Sequence, residues 1–440
     1  MHSVVVGLGK TGASCLRYLA KRGIPVSATD TRRTPPGLAE LGDLATSLDI
    51  RLGGFDLSLL DDASQLLMSP GVSLDEPIAK TARARGIEVL GDVELFARAV
   101  HAPVIGITGT NGKSTVTTLV ARMAAAAGRH VLAGGNLGVP VLDLIEQPVP
   151  DLYVLELSSF QLETTSSLRL EAAVVLNVTA DHLDRYPSVA AYALAKASTV
   201  VLNADDPLVA GMRRAPLRGA VTHVVTFSIE RSAADFSLLR SGAQTLLARR
   251  GEALLDIGRM KISGLHNAAN ALAALALGEA VGLPMLAMLA ALESFPGLSH
   301  RCEWVADIER ARFIDDSKGT NVGATIAAVA GMQGPLVMIA GGEGKGQDFT
   351  PLATAFRGKV RHAVLIGKDA PAVAAALDGV CTTETVASME EAVFAARRVA
   401  RAGDTVLLSP ACASLDMFRD YGHRGDVFAA AVRMLPGSRS

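Results

Sequence analysis

At 440 residues the chain is too long for one ordinary hydrophobic core, so two or three domains are expected. A formal net charge of -2 gives no electrostatic footing for nucleic acid or an anionic membrane surface, and neither is expected as a partner. The cysteines (Cys15, Cys302, Cys381, Cys412) form no CxxC pair and no basic-then-apolar leader opens the chain, which points to a reducing, cytoplasmic setting.

Ser3 to Val6 is a short β-branched run followed by Gly7-Leu-Gly-Lys-Thr-Gly12, which satisfies GxGxxG and opens a helix predicted over Ala13 to Arg22. A second strand, Pro25 to Thr29, ends at Asp30, where an acidic residue often holds a ribose hydroxyl. Two readings stay open for this Rossmann-like half-site. One is an NAD-dependent oxidoreductase. The other is a grip on a nucleotide diphosphate that belongs to a substrate, with Asp30, Thr31 and Arg32 at the strand end; the weakly marked second βαβ half favours it. Leu66 to Gly71 reads as a third strand with a turn at its carboxyl end, and His101-Ala-Pro103 as a linker.

Val104 to Ile107 reads as a buried strand, Thr108-Gly-Thr-Asn-Gly-Lys-Ser-Thr115 as a tight turn, and Val116 to Ala127 as a helix. A Gly-rich turn between strand and helix aims backbone N–H groups and the helix dipole at one anion. Lys113 adds a positive charge, and Ser114 or Thr115 offers a hydroxyl to a metal ion. This is a phosphate-loop arrangement for a nucleoside triphosphate, although Ile107 stands where the strict pattern has its first glycine.

Strands and helices then alternate as a parallel sheet requires. Val131 to Asn136 runs into a Gly turn. Leu152 to Leu155 makes a buried strand with Glu156 near its end, where a magnesium ion shared with the triphosphate would satisfy the carboxylate. Ala173 to Asn177 is followed by VTADHLDRYP, whose Asp181, His182 and Asp184 suit a metal or substrate. Tyr192 and Lys196 are expected four apart on one helix face. Val200 to Asp206 ends a further strand, and residues 221 to 262 suggest a small antiparallel annex. Asn267 and Asn270 lie three apart ahead of an Ala/Leu-rich stretch, able to face one ligand or to cap a helix. Glu279, Gly282 and Pro284 break the apolar segment 271 to 292 into two helical pieces rather than a membrane span.

After Phe295-Pro-Gly297, strands are expected at Leu336 to Ala340, Ala363 to Ile366 and Thr405 to Leu408. Each leads into a turn (GGEGKGQDF, GKD, SPACASLD), and such turns gather at the carboxyl edge where ligands bind. Lys345 in the first is read as a partner for substrate charge. The expected fold is α/β with three domains: a Rossmann-like N-terminal domain over 1–101, a P-loop-type central domain with a mostly parallel sheet over 102–296, and a Rossmann-like C-terminal domain over 297–440.

Taken together, GLGKTG, TDTR, SPGV, GDVELF, TGTNGKST, GGNLG, LELSSFQLETTSSL, LNVTADHLDRYP, SGLHNAAN, SHRCEWV, DDSKGTN, GGEGKG and SPACASLDMF resemble the Mur ligases of bacterial cell-wall synthesis along essentially the whole chain. LELSSFQLE and SPACAS point to the glutamate-adding branch; GTNGK followed by Ser or Thr marks only the wider superfamily, folylpolyglutamate synthase included. The resemblance implies an ATP-dependent amide ligase of peptidoglycan precursor synthesis. The carboxylate of UDP-N-acetylmuramoyl-L-alanine would take the γ-phosphate of ATP to give an acyl phosphate, and the amine of D-glutamate would then displace phosphate. A ligase for L-glutamate or another amino acid is the alternative within the family. Carboxylate and triphosphate repel by about 4 kcal/mol at 4 Å and an effective dielectric of 20, so the site needs cations.

By that resemblance Lys113 neutralises the phosphates within a loop lined by Thr110, Asn111, Gly112 and Thr115. Ser114 and Glu156 serve one Mg2+, and His182 with a CO2-derived carbamate on Lys196 serves a second. Thr11, Asp30, Thr31, Arg32 and Gly71 would hold UDP; Asn136 and His182 the muramoyl-alanine; Asn270, Arg301, Asp316 and Lys318 the ATP, with Asn270 near the adenine. Thr320, Lys345, Ser414 and Leu415 would hold glutamate. Tyr421 stands by that pocket where phenylalanine is common, and Lys10 where the first glycine loop commonly has an apolar residue. A cytoplasmic monomer is expected.

Overall fold

Each of the three predicted α/β segments builds its own sheet. The computed structural model describes residues 2–136, 138–178, 196–212, 221–242, 244–262, 264–332 and 334–437. Its contacts divide the chain into two compact units: Met1–Asp256 with Ala269–Glu293, and Ile257–Ala268 with Ser294–Ser440.

In the first unit, β1 (Ser3–Val6), β2 (Val26–Asp30), β3 (Asp49–Leu52), β4 (Gln65–Met68) and β5 (Glu88–Leu90) form a parallel sheet in the order β3-β2-β1-β4-β5. Val4, Val5 and Val6 are fully buried, as strands covered on both faces must be. The strand order reverses between β1 and β4, so the loops after these two strands flank a switch point, the usual seat of a nucleotide.

The second sheet of this unit has nine strands, β14-β13-β12-β11-β10-β9-β6-β8-β7. They are β6 (Val104–Thr108), β7 (Val131–Gly135), β8 (Leu152–Glu156), β9 (Leu170–Val175), β10 (Ala197–Asn203), β11 (His223–Phe227), β12 (Phe236–Ser241), β13 (Gln244–Arg249) and β14 (Glu252–Asp256). The small antiparallel annex expected over residues 221–262 is present as β12 to β14, but it is continuous with the parallel sheet. β11 runs parallel to β10, Phe227 pairs with Phe236 of β12, and the antiparallel strands β12 to β14 extend the same sheet. Burial of both phenylalanines, at 2% and 0% exposure, explains the continuity that turn-rich composition concealed. The apolar stretch after it forms helices Leu265–Ala280 and Met285–Ser294, interrupted around Pro284. Among the described residues no helix is long and apolar enough to cross a membrane.

Within the first unit the two sheets share one core, running from Val5 and Leu16 through Phe96 and Val141 to Leu202. Polar clasps reinforce it. Asp143 accepts from Ser14 Oγ at 2.7 Å and Arg17 Nη2 at 2.8 Å, and Glu94 accepts from the amides of Ser166 and Ser167 at 2.7 and 3.0 Å. Asp92 is less well served. Gln161 Nε2 donates to its Oδ2 at 3.2 Å, whereas Oδ1 is buried with no hydrogen-bond partner among the described residues. Burial pushes this carboxyl up from 3.8 to about 6, against the smaller pull of the Gln161 hydrogen bond.

The folded state thus holds the Asp92 proton to a higher pH than the unfolded chain does. Stability from this group is full at low pH and is lost as pH rises from about 4 to about 6. Asp92→Asn is expected to raise the melting temperature at pH 7.5, by an amount reflecting up to about 3 kcal/mol. The gain should vanish at pH 4; scanning calorimetry at the two pH values checks it, and an equal gain at both would refute the assignment.

In the second unit, β15 (Glu303–Ile308), β16 (Ala311–Asp315), β17 (Leu336–Gly341), β18 (Val360–Ile366), β19 (Thr382–Thr385) and β20 (Thr405–Leu408) take the order β15-β16-β20-β17-β18-β19. All neighbours are parallel except β15 with β16. The turns after β17, β18 and β20 accordingly share one edge, as the sequence pattern implied, and the turn after β16, a strand the pattern did not mark, joins them.

Candidate functional site

The phosphate loop is a strained turn held from behind. β6 is buried throughout, and helix Lys113–Ala126 begins immediately after Gly112. Gly109 and Gly112 have φ of 140° and 88°, which side-chain-bearing residues rarely adopt. A Cβ on Gly112 would also collide with Asn270 Oδ1, so glycine lets the helix start close against Asn270. Gly112→Ala is expected to lower turnover by at least about tenfold, the scale of 1–3 kcal/mol of backbone strain. Unchanged initial rates of phosphate release would contradict this.

Lys113 Nζ donates to the carbonyls of Gly109 and Thr110 at 2.7 and 2.9 Å, which folds its charge over the turn. Ser114 and Thr115 are buried at the first turn of the helix. Glu156 ends β8, and the register pairs it with Ile107 of β6, one strand from the loop. Its Oε1 accepts from Asn136 Nδ2 at 2.7 Å, while its Oε2 is buried with no hydrogen-bond partner among the described residues. A buried carboxylate oxygen left so is costly, and a hard cation beside it would relieve the cost. Glu156 therefore fits Mg2+.

His182, Asp181, Asp184 and Tyr192 lie outside the described residues. The helix face expected to carry Tyr192 and Lys196 therefore also lies outside them, and Lys196 itself stands in the turn entering β10, where its carbonyl accepts from Leu170 N–H at 3.1 Å. That bond continues the β9–β10 pairing.

At the first sheet's carboxyl edge, three loops are tied together. Asp30 is buried and accepts from Leu8 N–H at 2.6 Å, from Arg32 N–H at 2.8 Å and from the Arg32 guanidinium at 2.7 and 2.9 Å. Burial opposes its ionisation, but these bonds outweigh it and hold the carboxyl below its ordinary range. Ser69 Oγ donates to Gly7 O at 2.6 Å, joining the loops after β1 and β4. Thr11 is half-buried at this edge, with Thr31, Arg32 and Gly71 exposed around it. Beyond Ser69, a small open cleft runs between Pro70, Val72, Ser73 and Leu74 on one side and Phe160, Glu163 and Thr164 on the other.

In the second unit the corresponding edge is built around buried charge. Asp316 is 8% exposed; burial pushes its carboxyl up to about 7 despite a hydrogen bond from Ser409 Oγ at 2.7 Å and the nearby Arg301. His300 Nδ1 lies 2.7 Å from Asp315 Oδ2, a bond that raises the imidazole above its ordinary value. Lys318 Nζ sits over the Tyr421 ring, 4.9 Å from its centroid. Thr320 is half-buried, Ser414 buried, and Leu415 and Lys345 exposed, Lys345 with φ of 52°.

Sequence reasoning missed two residues that organise these edges. Arg424 is fully buried and donates to Ser317 Oγ, Ser317 O and Cys412 O at 3.0, 2.8 and 3.1 Å, joining the turns after β16 and β20. Burial lowers its guanidinium to about 10. Asn177, one residue past Leu176 at the end of the β9 segment, binds the phosphate loop. Only the polarity of Asn177 at a buried strand's end was available to signal it.

Known proteins with these features are found along the whole chain. Residues 1–91 match the family model "Mur ligase MurD-like, N-terminal domain", residues 107–278 the "Mur ligase middle domain", and residues 300–412 the "Mur ligase, glutamate ligase domain". A curated protein of Nitrosococcus oceani, named UDP-N-acetylmuramoylalanine--D-glutamate ligase, is 54% identical over 440 residues, covering 98% of this chain and 96% of that one. Its namesake in Pseudomonas savastanoi pv. phaseolicola is 49% identical, with 98% of each chain covered. The crystal structure of UDP-N-acetylmuramate-alanine ligase from Thermotoga maritima shares the fold with a TM-score of 0.62 at 19% identity, over 98% of both chains.

Proposed function

The chain belongs to the Mur ligase family, and from that premise we propose that it joins D-glutamate to UDP-N-acetylmuramoyl-L-alanine at the expense of ATP, in peptidoglycan precursor synthesis. The observation that carries this reading is a phosphate loop with a buried, incompletely satisfied Glu156 beside it, in a chain that matches D-glutamate ligases over 98% of its length.

Uridine diphosphate lies along the loops after β1, β2 and β4, touching Thr11, Asp30, Thr31, Arg32 and Gly71, and Asn136 and His182 meet the muramoyl-alanine. Asp30 acts chiefly by fastening the glycine loop and orienting Arg32, since its oxygens already accept from both. ATP is held by Thr110 to Thr115, with Asn270, Arg301, Asp316 and Lys318. Lys113 draws charge off the γ-phosphate as the substrate carboxylate approaches, which lowers the repulsion between the two anions. Bound Mg2+ supplies further charge neutralisation at the phosphates, with Ser114 and Glu156 as the residues for one ion and His182 and a carbamylated Lys196 for a second. The acyl phosphate so formed is attacked by the amine of D-glutamate, held by Thr320, Lys345, Ser414, Leu415 and Tyr421. Domain boundaries near 101 and 296, a cytoplasmic location and a monomeric state complete the proposal.

ATP-dependent phosphate release with UDP-N-acetylmuramoyl-L-alanine and a panel of amino acids tests it. Release with D-glutamate alone is expected. Release with L-glutamate or another amino acid but not D-glutamate would overturn the substrate assignment. For the carbamate, Lys196→Ala should be nearly inactive and partly rescued by a small carboxylate such as acetate; an unimpaired variant would exclude it.

A further inference from the structure

Asn177 makes three hydrogen bonds to two consecutive residues of the phosphate loop. Its Oδ1 accepts from Asn111 N–H at 2.8 Å, its Nδ2 donates to Asn111 O at 3.0 Å, and its own carbonyl accepts from Thr110 N–H at 3.0 Å. The pair of opposed side-chain bonds fixes the amide's orientation and holds the two peptide units on either side of Asn111. The backbone on either side is held as well. Leu176 N–H donates to Thr108 O at 3.0 Å, and Leu176 O accepts from Asn203 Nδ2 at 2.8 Å. Val178 N–H donates to Asp206 Oδ2 at 2.8 Å. Asn203 and Asp206 come from the LNADDP stretch at the end of β10, whose side chains the ligase reading leaves without a role.

We propose that Asn177 is a positioning residue for ATP: a clamp, braced by Asn203 and Asp206, that sets the shape of the phosphate loop before the triphosphate arrives. The proposal rests on the triphosphate reading of that loop. Two loop amides, those of Thr110 and Asn111, are spent on the clamp and turned toward β9. The helix Lys113–Ala126 starts just past the clamped residues, and a helix N-terminus at the end of such a turn favours a phosphate by its dipole. Gly109 and Gly112 flank the two clamped residues, both at positive φ, so the turn has little local preference for this shape and depends on a partner to hold it. A loop shaped in advance avoids the ordering that binding would otherwise require. Among the described residues the clamp makes no hydrogen bond to the loops after β1, β2 and β4.

Asn177→Ala removes both side-chain bonds and should weaken Mg-ATP binding and raise the KM for ATP by about ten- to a hundredfold. KM for UDP-N-acetylmuramoyl-L-alanine and D-glutamate should stay within about threefold, and the melting temperature within a few degrees. Asn203→Ala, one step removed, should show the same split at about a third of the size or less, and it decides the matter if Asn177→Ala does not fold. An unchanged KM for ATP, or a parallel rise in all three KM values, would overturn the proposal. Titration of the full-length protein with a fluorescent ATP analogue keeps the two readings apart. No turnover by the unaltered protein with these substrates would sink the ligase assignment, while analogue affinity still reports on the clamp.

Discussion

Lys113→Ala is expected to reduce ATP-dependent phosphate release by about a thousandfold or more, with little change in melting temperature. The ammonium rests on the carbonyls of Gly109 and Thr110, bonds that orient the charge and are replaceable by water, so the fold should survive their loss. The reaction should not. Two anions must meet, and removing one preorganised donor from such a site typically costs about 10²- to 10³-fold. A full charge inside a partly buried loop belongs at the upper end. The measurement is single-turnover phosphate release at saturating substrates, with binding of UDP-N-acetylmuramoyl-L-alanine as a control. Activity within tenfold of the unaltered protein would show that the loop does not carry the γ-phosphate.

The second large effect concerns Glu156. Glu156→Gln keeps an oxygen to accept from Asn136 and removes the charge whose second oxygen has no hydrogen-bond partner among the described residues. Two results of opposite sign are expected. Turnover should fall by about 10²- to 10³-fold, with a raised requirement for Mg2+, because a carboxamide is a poor ligand for a hard cation. The melting temperature without ligands should rise by a few degrees, because an uncompensated buried charge has gone. A structural glutamate would lose stability on the same change. A variant with unaltered Mg2+ dependence, or one that melts lower, would refute the metal role.

Local signals were strong wherever one short segment does the work. Gly109, Gly112 and Lys113 are legible because a turn that must reach positive φ at a helix start needs glycine, whatever the rest of the chain does. The buried strands β1, β6 and β8 are legible from their apolar runs, and the break at Pro284 from proline's missing donor. Lys196 shows where such reading stops. Its carbonyl accepts from Leu170 N–H at the entry to β10, and no local spacing announces a partner 26 residues away.

The sequence by itself determined the three α/β segments, the position of the phosphate loop and the carboxylate at the end of β8, because each is written in a contiguous pattern of size, charge and backbone freedom. Tertiary structure alone decided what holds those parts in place. Asp30 serves Leu8 and Arg32, Asn270 lies against Gly112, Arg424 ties Ser317 to Cys412, and Asn177 grips Asn111 from 66 residues away. A polar side chain's partner is set by which backbone groups the packed sheets bring within 3 Å, and that geometry exists only once distant strands have paired.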